Sequence, residues 1–412
     1  MTRALVTGAG AITPIGLSAH EFWANLVAGV SGVTLITRFD TSDMAVKIAA
    51  EVKDFDAANY MDAKAARRMS RFAQFAVAAA GLAAEDAGLE LTEAERPRAA
   101  SAIATGAGGA IDTMDEMEAL LTRGPSRVSP FYVPTMAPNM GACQVSMTLG
   151  LRGPALASVA ACASGLYSFM EAKSLIESGV ADVVLAGGTE AALHRLPIAA
   201  LANMRALSRR NDDPEGASRP FDADRDGFVF GEGAVVLVIE SEARARARGA
   251  RVYAELMGGG LSCDAYHITA PREDGTGAEQ AIAAALAASV MDAGEIDYIA
   301  AHGTGTPLND VAETVAIKRA FGEAAAGISI SSPKSMVGHL LGAAGAAGCL
   351  AAVMAIAKGV VPPTINLETP DPQCDLDYTP LVARKRDVRA AAANGFGFGG
   401  QNGCVIFRKY EG

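Results

Sequence analysis

Segments with strand-like and helical patterns alternate along most of this 412-residue chain, and this alternation limits the choice of fold more than any other feature. Short apolar runs typical of strands occur at 4–8, 100–106, 156–161, 181–186, 233–240, 252–256, 296–301, 328–331 and 404–408. Helical periodicity predicts helices at 63–87, 140–149, 165–178, 277–288 and 311–321, and 340–357 is a continuous apolar run. The order predicts an α/β protein whose helices cover its sheets, with catalytic side chains at or just beyond the strand ends.

Composition sets further limits on the class of protein. Half of the residues are hydrophobic and 20% are charged, which supplies a large core and argues against disorder. The net charge of −11 argues against nucleic acid as a general partner. Because the length exceeds one average domain, we expect two domains or one duplicated domain.

Cysteine usage and the apolar segments bear on the cell compartment. The six cysteines contain no C-x-x-C pair, so neither a disulfide framework nor a zinc site is expected. The first residues read as a strand, without the apolar region of a signal peptide. The run 340–357 is long enough to cross a membrane, but its regularly spaced glycines and its lack of aromatic anchors predict a buried core helix. We therefore expect a cytoplasmic protein that does not cross a membrane.

Cys162 stands where the apolar run 156–161 gives way to a helical pattern. A residue at the first turn of a helix faces unpaired N–H groups and the positive end of the helix dipole. We therefore expect a stabilised thiolate, and hence a nucleophile, at this position. The other five cysteines lack such a setting, and we interpret them as structural thiols.

Two histidine motifs far downstream are candidate partners of Cys162. His302 follows an apolar strand and opens the loop His-Gly-Thr-Gly-Thr-Pro, and His339 lies five residues after Lys334, at the start of the glycine-rich run. Glycine patterns at 8–10 and 395–400 match a dinucleotide-binding fingerprint only weakly, because the acidic residue or the βαβ unit that it needs is lacking. We interpret both as tight turns and do not expect a dehydrogenase.

Together these motifs resemble the β-ketoacyl-[acyl-carrier-protein] synthases, most closely the elongating type II class with a Cys-His-His set. The matching segments include Ala161-Cys-Ala-Ser-Gly, His302-Gly-Thr-Gly-Thr-Pro, Lys334-Ser-Met-Val-Gly-His and Gly395-Phe-Gly-Phe-Gly-Gly, and the resemblance covers essentially the whole chain. It implies a thiolase-type αβαβα five-layer sandwich built from two similar halves, which we place at 1–250 and 251–412. It also implies a reaction without an organic cofactor or a metal.

The resemblance also assigns catalytic roles. Cys162 would hold the acyl group, and the N–H groups of Cys162 and Phe398 would bind the oxyanion. His302 and His339 would stabilise the enolate that forms when malonyl on its carrier protein loses CO2. The full catalytic set that it implies is Cys162, His302, His339, Lys334, Glu313 and Phe398, with Glu313 as the partner of Lys334. The residues that it places around the substrate are Ala107, Gly108, Phe131, Tyr132, Thr304, Thr306, Phe396 and Gly399.

Three positions depart from the fatty-acid members of that family. Ala107 is smaller than the usual aliphatic residue of the acyl pocket, which leaves room for a long or rigid chain. Gly348 stands where those enzymes commonly carry Glu and polyketide ketosynthases carry glycine, and Gln401 replaces a usual Thr. Fatty-acid elongation and a type II polyketide system therefore stay open as alternatives. A non-catalytic chain-length subunit is disfavoured because the nucleophile is present.

Partners follow from charge and from the resemblance. An acyl carrier protein is acidic, so its docking needs a local basic patch rather than a basic chain. Arginines cluster in this acidic chain at Arg67, Arg68, Arg205, Arg209 and Arg210. We expect them to dock acyl and malonyl carrier proteins. We also expect a homodimer or a heterodimer with a chain-length factor, in which Phe131 and Tyr132 close the partner's acyl pocket.

Overall fold

Ten strands form one large sheet, and two further pairs of short strands lie outside it. The computed structural model describes residues 2–412. Its strands are β1 (Ala4–Ile12), β2 (Thr34–Leu35), β3 (Ile48–Ala49), β4 (Ala99–Ala104), β5 (Ala155–Leu156), β6 (Val183–Glu190), β7 (Gly233–Ser241), β8 (Ala254–Cys263), β9 (Tyr298–Ala300), β10 (Ser329–Ser331), β11 (Val360–Val361), β12 (Arg384–Lys385), β13 (Ala390–Gly397) and β14 (Gln401–Arg408). Its α-helices are α1 (Ala19–Ala28), α2 (Ala63–Ala66), α3 (Arg71–Asp86), α4 (Ala110–Arg123), α5 (Tyr132–Met136), α6 (Met140–Leu149), α7 (Ser164–Glu177), α8 (Arg195–Asn203), α9 (Glu242–Ala247), α10 (Thr276–Ser289), α11 (Pro307–Phe321), α12 (Lys334–Val337) and α13 (Ala344–Lys358).

The strand order of the large sheet shows an internal duplication. It runs β10-β9-β13-β14-β8-β1-β7-β6-β4-β5, so two groups of five strands meet at β8 and β1. In each group the three outer strands pair in parallel and the inner pairs are antiparallel. Residues 4–6 pair with residues 254–256 to join the groups. The chain therefore folds as two similar halves.

Helices cover both groups of strands and form a layer between them. α7 packs on β4 and β6, α13 packs on β13 and β9, and the two helices contact each other. α3 and α6 cover the outer face of the first group, and α10 covers the outer face of the second together with α11. Hydrophobic clusters fill the central layer and both outer layers. The order of layers is α-β-α-β-α, as predicted.

The apolar run predicted as a core helix is α13 with the turn before it. The segment Leu341–Lys358 is long and apolar enough to span a membrane, and 83% of it is buried inside the fold. Its small residues allow neighbouring backbones to approach closely, since a Cβ on Gly345 would lie 3.0 Å from the backbone nitrogen of Leu166 on α7. Burial on all sides explains why this helix has no polar face.

Other predicted elements differ from the structure. The single helix predicted over 63–87 is two helices, α2 and α3, because the Gln74 side chain caps the carbonyls of Ala66 and Met69 between them. The strand predicted at 156–161 pairs only over β5. Strand β13 and helices α1, α4 and α8 were not predicted, and β13 runs into the glycine motif that we interpreted only as a turn.

Candidate active site

Cys162 lies in a 3-10 turn, Ala161–Ala163, directly before α7. The Ser164 hydroxyl fixes this turn, since it accepts from the Ala160 N–H at 2.8 Å and donates to the Ala161 carbonyl at 2.7 Å. Ala161 has a φ of +47°, a left-handed conformation that is strained for a residue other than glycine. The prediction that Cys162 precedes a helix is confirmed, and neighbouring hydrogen bonds hold the strained turn in place.

The electrostatic surroundings of Cys162 differ from the prediction. Burial raises the pKa of the Cys162 thiol to about 11, although the Lys334 charge and the Phe398 N–H oppose this rise. The Cys162 N–H also bonds to the sulfur, whereas the nearby Glu190 carboxylate disfavours the thiolate. The expected low pKa of Cys162 is therefore wrong, because burial outweighs the favourable groups. The N–H groups of Cys162 and Phe398, which bond to the sulfur, are the two that we expected to bind the oxyanion.

Two buried carboxylates hold the loop that follows His302. Glu313 on α11 accepts the backbone N–H of His302 at 2.8 Å and that of Gly303 at 2.7 Å. Asp310, on the same helix, accepts the N–H groups of Thr304 and Gly305 at 3.1 and 3.2 Å. Both carboxylates lie just inside the helix that begins at the end of this loop. The helix and the loop therefore form one rigid unit that positions the imidazole.

Lys334 is buried and also contacts His302. Its Nζ donates to the His302 carbonyl oxygen at 2.6 Å. Burial lowers the pKa of Lys334 to about 8, and the carboxylate of Glu313 opposes that shift. The predicted direct pair of Lys334 with Glu313 is not present as a hydrogen bond or ion pair within residues 2–412. Instead, both side chains bind the backbone of His302. Glu313 accepts the His302 N–H, and Lys334 donates to the His302 carbonyl oxygen.

His339 lies between α12 and the 3-10 turn Leu341–Ala343, five residues before α13 rather than at its start. Its Nδ1 accepts the Leu341 N–H at 3.2 Å, which places the ring proton on Nε2. Its ring centroid lies 5.4 Å from that of His302. His302 Nδ1 is buried and has no hydrogen-bond partner among the described residues. Both imidazoles therefore have a nitrogen free for a substrate.

Both histidines are neutral. Burial lowers the pKa of His302 well below its ordinary value, and the charge of Lys334 and the neighbouring His339 lower it further. Burial and the Lys334 charge act in the same way on the pKa of His339. A neutral imidazole can donate a hydrogen bond through one nitrogen and accept a proton at the other. This is the form that an enolate-stabilising pair requires.

The predicted groups meet in one cavity of about 530 Å³. Its lining includes Cys162 and both histidines, together with Ala107, Thr304, Thr306, Phe396, Phe398 and Arg205. Phe398 is 39% exposed and sits at the start of the turn Phe398–Gly400. Among residues 2–412, no cluster of side chains is arranged to hold a metal ion.

Four predicted substrate residues do not line this cavity within the single chain. Gly108 packs on Pro138 and donates to the Thr105 hydroxyl, and Gly399 lies in the turn after Phe398. Phe131 immediately precedes α5 and Tyr132 is its first residue, and both lie outside the cavity lining. Their predicted role needs a second chain.

The five arginines predicted for docking lie at the surface or close to it. The guanidinium of Arg68 stacks over the ring of Phe131 at 4.9 Å. Arg205 has a φ of +58° and lines the cavity. Arg209 and Arg210 donate only to backbone carbonyls, those of Ala202 and Asp224. Within the described chain none of the five forms an ion pair, so their charges are available to a partner.

Sequence reasoning missed several buried polar groups around the site. Asp310 accepts the loop N–H groups, and Arg225 lies 3.5 Å from that carboxylate. Asn394 donates to Glu313 at 3.2 Å. Asn402 donates to Asp264 at 2.7 Å beside the 398–400 turn. Each acts through contacts between distant segments, and the only local signal was the polar residue type within an apolar motif.

Models of protein families match the chain in two parts. The model of the β-ketoacyl synthase N-terminal domain matches residues 1–245, and that of the C-terminal domain matches residues 253–368. The chain belongs to the β-ketoacyl synthase family. It is therefore a condensing enzyme of the acyltransferase class, as predicted.

Relatives agree with this assignment over the full length. The chain is 51% identical to the 3-oxoacyl-[acyl-carrier-protein] synthase 2 of Synechocystis sp., over 99% of this chain and 98% of that protein. It is 46% identical to the synthase of the same name from Staphylococcus aureus, over 99% of both chains. Among solved structures, the ishigamide ketosynthase/chain length factor has a TM-score of 0.92 at 38% identity, with full coverage of both chains. The predicted thiolase-type sandwich of two similar halves is confirmed.

Proposed function

We propose that this β-ketoacyl synthase is a cytoplasmic 3-oxoacyl-[acyl-carrier-protein] synthase of fatty-acid elongation. The observation that carries the proposal is the meeting of Cys162, His302 and His339 in one cavity, with two backbone N–H groups at the sulfur. The names of the relatives from Synechocystis sp. and Staphylococcus aureus support the same reaction.

In the first half-reaction, the sulfur of Cys162 attacks the thioester carbonyl of an acyl carrier protein. The N–H groups of Cys162 and Phe398 donate to the oxyanion that forms. Because the thiol has a pKa of about 11, its proton leaves during the attack rather than before it. The carbonyl carbon–sulfur bond to the carrier breaks, and the proton passes to the departing pantetheine sulfur. The acyl group is then a thioester of Cys162.

In the second half-reaction, malonyl on a carrier protein loses CO2 to give an enolate. His339 donates from Nε2 to the thioester oxygen that gains the charge, and His302 donates beside it. The enolate carbon attacks the acyl thioester, the carbonyl carbon–sulfur bond to Cys162 breaks, and the departing thiolate takes a proton from water. The products are 3-oxoacyl carrier protein, CO2 and the free thiol. No external oxidant or cofactor is needed for this balance.

Lys334 and Glu313 act on this chemistry through His302. The positive charge of Lys334 adds to the effect of burial in lowering the pKa of both imidazoles, and it partly offsets the cost of the Cys162 thiolate. Glu313 holds the backbone of the same histidine from the other side. Thr304 and Thr306, whose hydroxyls lie 2.9 Å apart on the cavity wall, offer hydrogen bonds to the pantetheine arm.

We propose an acidic acyl carrier protein as the docking partner of Arg67, Arg68, Arg205, Arg209 and Arg210. These side chains are free of ion pairs within residues 2–412, and Arg205 lies on the cavity that the pantetheine arm must enter. One structural neighbour, with a TM-score of 0.91 at 33% identity, is a type II polyketide ketosynthase in complex with its acyl-carrier protein.

We also propose that the chain dimerises through the edge of its sheet at β5 and the nearby helices. Apolar side chains are exposed on α4, α5 and α6, with Leu121 at 77%, Val133 at 71% and Met147 at 63%. A second chain would cover them and bring its Phe131 and Tyr132 toward the acyl pocket.

The catalytic roles are tested by following each half-reaction separately. Cys162→Ala should abolish the acyl-enzyme seen by intact mass, and persistent labelling would remove the nucleophile from this position. His302→Ala and His339→Ala should each slow malonyl decarboxylation by roughly 10²–10³-fold, the usual cost of removing a preorganised donor. Cys162 should still be acylated in both variants. Loss of acylation with normal decarboxylation would contradict the roles of the histidines.

A second candidate is the ketosynthase subunit of a type II polyketide system. Two structural neighbours favour it, the ishigamide ketosynthase/chain length factor and the type II polyketide ketosynthase bound to its acyl-carrier protein, as does the small Ala107 on the cavity wall. A panel of acyl carrier proteins that differ in chain length and oxidation separates the two. If this protein alone accepts saturated acyl groups, the result supports fatty-acid elongation. If activity requires an added chain-length factor, the result supports the polyketide alternative.

A further inference from the structure

Glu190 is a buried carboxylate at the end of β6 to which the mechanism above gives no role. It is fully inaccessible to solvent. One of its oxygens, Oε2, accepts the N–H of Gly106 at 2.8 Å and that of Gly342 at 3.0 Å. The other, Oε1, accepts the N–H of Ala107 and the hydroxyl of Thr105, both at 3.2 Å. Four donors therefore converge on one side chain.

The partners of Glu190 are loops rather than cations. No ion pair involves it within the described residues, so backbone and hydroxyl dipoles alone stabilise its charged form, and burial raises the pKa of Glu190 to about 7. Gly106 and Ala107 form the wall of the acyl cavity in the first half of the chain. Gly342 belongs to the second half, in the turn whose Leu341 N–H bonds to the His339 ring. The carboxylate therefore bridges the two halves at the site.

The glycines around Glu190 leave room only for this arrangement. A Cβ on Gly106 would lie 2.7 Å from Glu190 Oε2, and a Cβ on Gly342 would lie 2.2 Å from the Gly106 nitrogen. A Cβ on Gly188, two residues before Glu190, would lie 2.4 Å from the Gly342 carbonyl oxygen. Three segments therefore meet backbone to backbone, and the carboxylate occupies their junction.

We propose that Glu190 is a positioning residue that fixes the acyl-pocket wall and the turn beyond His339 relative to each other. One oxygen, Oε1, holds Ala107, beside which the acyl chain lies. The other oxygen, Oε2, holds Gly342 and so the turn that orients His339. One side chain thereby sets the geometry of both half-reactions. This inference rests on the proposed function, because it assigns the acyl chain and malonyl to those two places.

Two substitutions separate the two oxygens. In Glu190→Gln the carbonyl can keep the bonds to Gly106 and Gly342, while the NH2 turns toward the Thr105 hydroxyl and faces the N–H of Ala107. We expect the acylation rate and its chain-length preference to change by about tenfold, as for loss of a hydrogen bond to a charged acceptor. Decarboxylation of malonyl carrier protein should change less than threefold. Glu190→Asp keeps the charge but withdraws it from both loops, so both rates should fall by about tenfold or more.

The matched control is Glu240→Gln. Glu240 is equally buried but lies on the neighbouring strand β7, far from the site. Its cross-strand partner is Val183, at the opposite end of β6 from Glu190 and seven residues before it. It bonds to Thr7 and to arginines instead of the site. Its variant should lose stability and keep both half-reaction rates per active site.

All rates are normalised to the amount of Cys162 that can be acylated, which removes simple loss of folded protein. Acylation is read by intact mass over a series of acyl carrier proteins, and decarboxylation by formation of acetyl carrier protein. If Glu190→Gln and Glu190→Asp match the unmodified chain, or change both rates only as Glu240→Gln does, the inference is wrong. If the unmodified chain is never acylated, the proposed function itself fails.

Discussion

Two glycines on α13 should respond in opposite ways to the same substitution. An alanine Cβ at Gly348 would meet only the methyl groups of Ala393 and Ala300, at 3.7 and 3.8 Å, which are ordinary contact distances. Replacing a helical glycine with alanine gains about 0.8–1 kcal/mol of helix propensity, and burying the methyl adds up to about 0.8 kcal/mol. Gly348→Ala should therefore raise the free energy of unfolding by between about 1 and 2 kcal/mol.

Gly345, one turn earlier on the same helix, has no such room. Its Cβ would lie 2.8 Å from Cγ of Leu166 and 3.0 Å from the backbone nitrogen of that residue. The gain in helix propensity is the same, but forcing two helices apart in a packed core costs about 1–3 kcal/mol. Gly345→Ala should therefore be net destabilising, by about 1 kcal/mol. Because Leu166 follows Cys162 closely on α7, acylation should also slow.

Urea unfolding measures both effects with one probe. The chain has a single tryptophan, Trp23, which is 8% exposed and belongs to the same hydrophobic cluster as α13. Its fluorescence should therefore report loss of the central layer, and midpoints are compared at equal slope. If both variants move the midpoint in the same direction, the packing distances do not control the outcome and the reasoning is refuted.

Three further predictions concern the site. Alkylation of Cys162 by iodoacetamide should accelerate by about tenfold per pH unit between pH 7 and 9, because a thiol with a raised pKa ionises in proportion to hydroxide. The rates are read by intact mass, and a plateau near pH 7 would contradict the raised pKa. Lys334→Met removes a charge that lowers the pKa of both His302 and His339, so their protonation, and the acid limb of the condensation rate measured from pH 5 to 8, should move to higher pH. An unchanged or lower limb would show that the lysine does not act on them. Ala107→Ile should shorten the longest acyl chain loaded onto the enzyme, measured across the chain-length panel, and an unchanged profile would remove this residue from the acyl wall.

The meeting of Cys162, His302 and His339 in one cavity could be predicted because each of them lies in its own short motif. Cys162 ends an apolar run, and His302 and His339 lie in glycine-rich segments whose residue types have few structural uses. The polar groups that hold them could not be found in this way. Asp310 and Glu190 act by accepting N–H groups from loops that are distant in the chain or become adjacent only after folding. No local pattern records such a contact.

The direction of the Cys162 pKa shows a different limit. Position before a helix is a local property, and the sequence pattern predicted it correctly. Burial depends on how both halves close over the sulfur, and it raises the pKa to about 11. The prediction therefore placed Cys162 correctly before a helix but gave the wrong direction for its pKa shift, because it did not include the cost of burial. The break between α2 and α3 also depends on a contact that the sequence pattern does not record, since the side chain of Gln74 donates to the carbonyls of Ala66 and Met69 at the break.

The duplication explains why the active site has one thiol although the fold has two copies of the turn that holds it. The turn before α7 begins at Ala161 with a φ of +47°, and the turn before α13 begins at Leu341 with a φ of +44°. The residue that follows is Cys162 in the first copy and Gly342 in the second. The side chain of the first is the proposed nucleophile, and the missing side chain of the second admits the Gly106 backbone that Glu190 holds.

The same symmetry governs how closely the two turns approach. A Cβ on Gly165 would lie 2.6 Å from the nitrogen of Ala346, and a Cβ on Gly345 would lie 3.0 Å from the nitrogen of Leu166. The contacts are reciprocal, since each glycine meets the residue after its counterpart. Both helix N-termini therefore come together beside Cys162, and neither glycine can gain a side chain without moving the other half. Activity should be more sensitive than stability to substitution at this pair, because separating the helices shifts the thiol relative to His339.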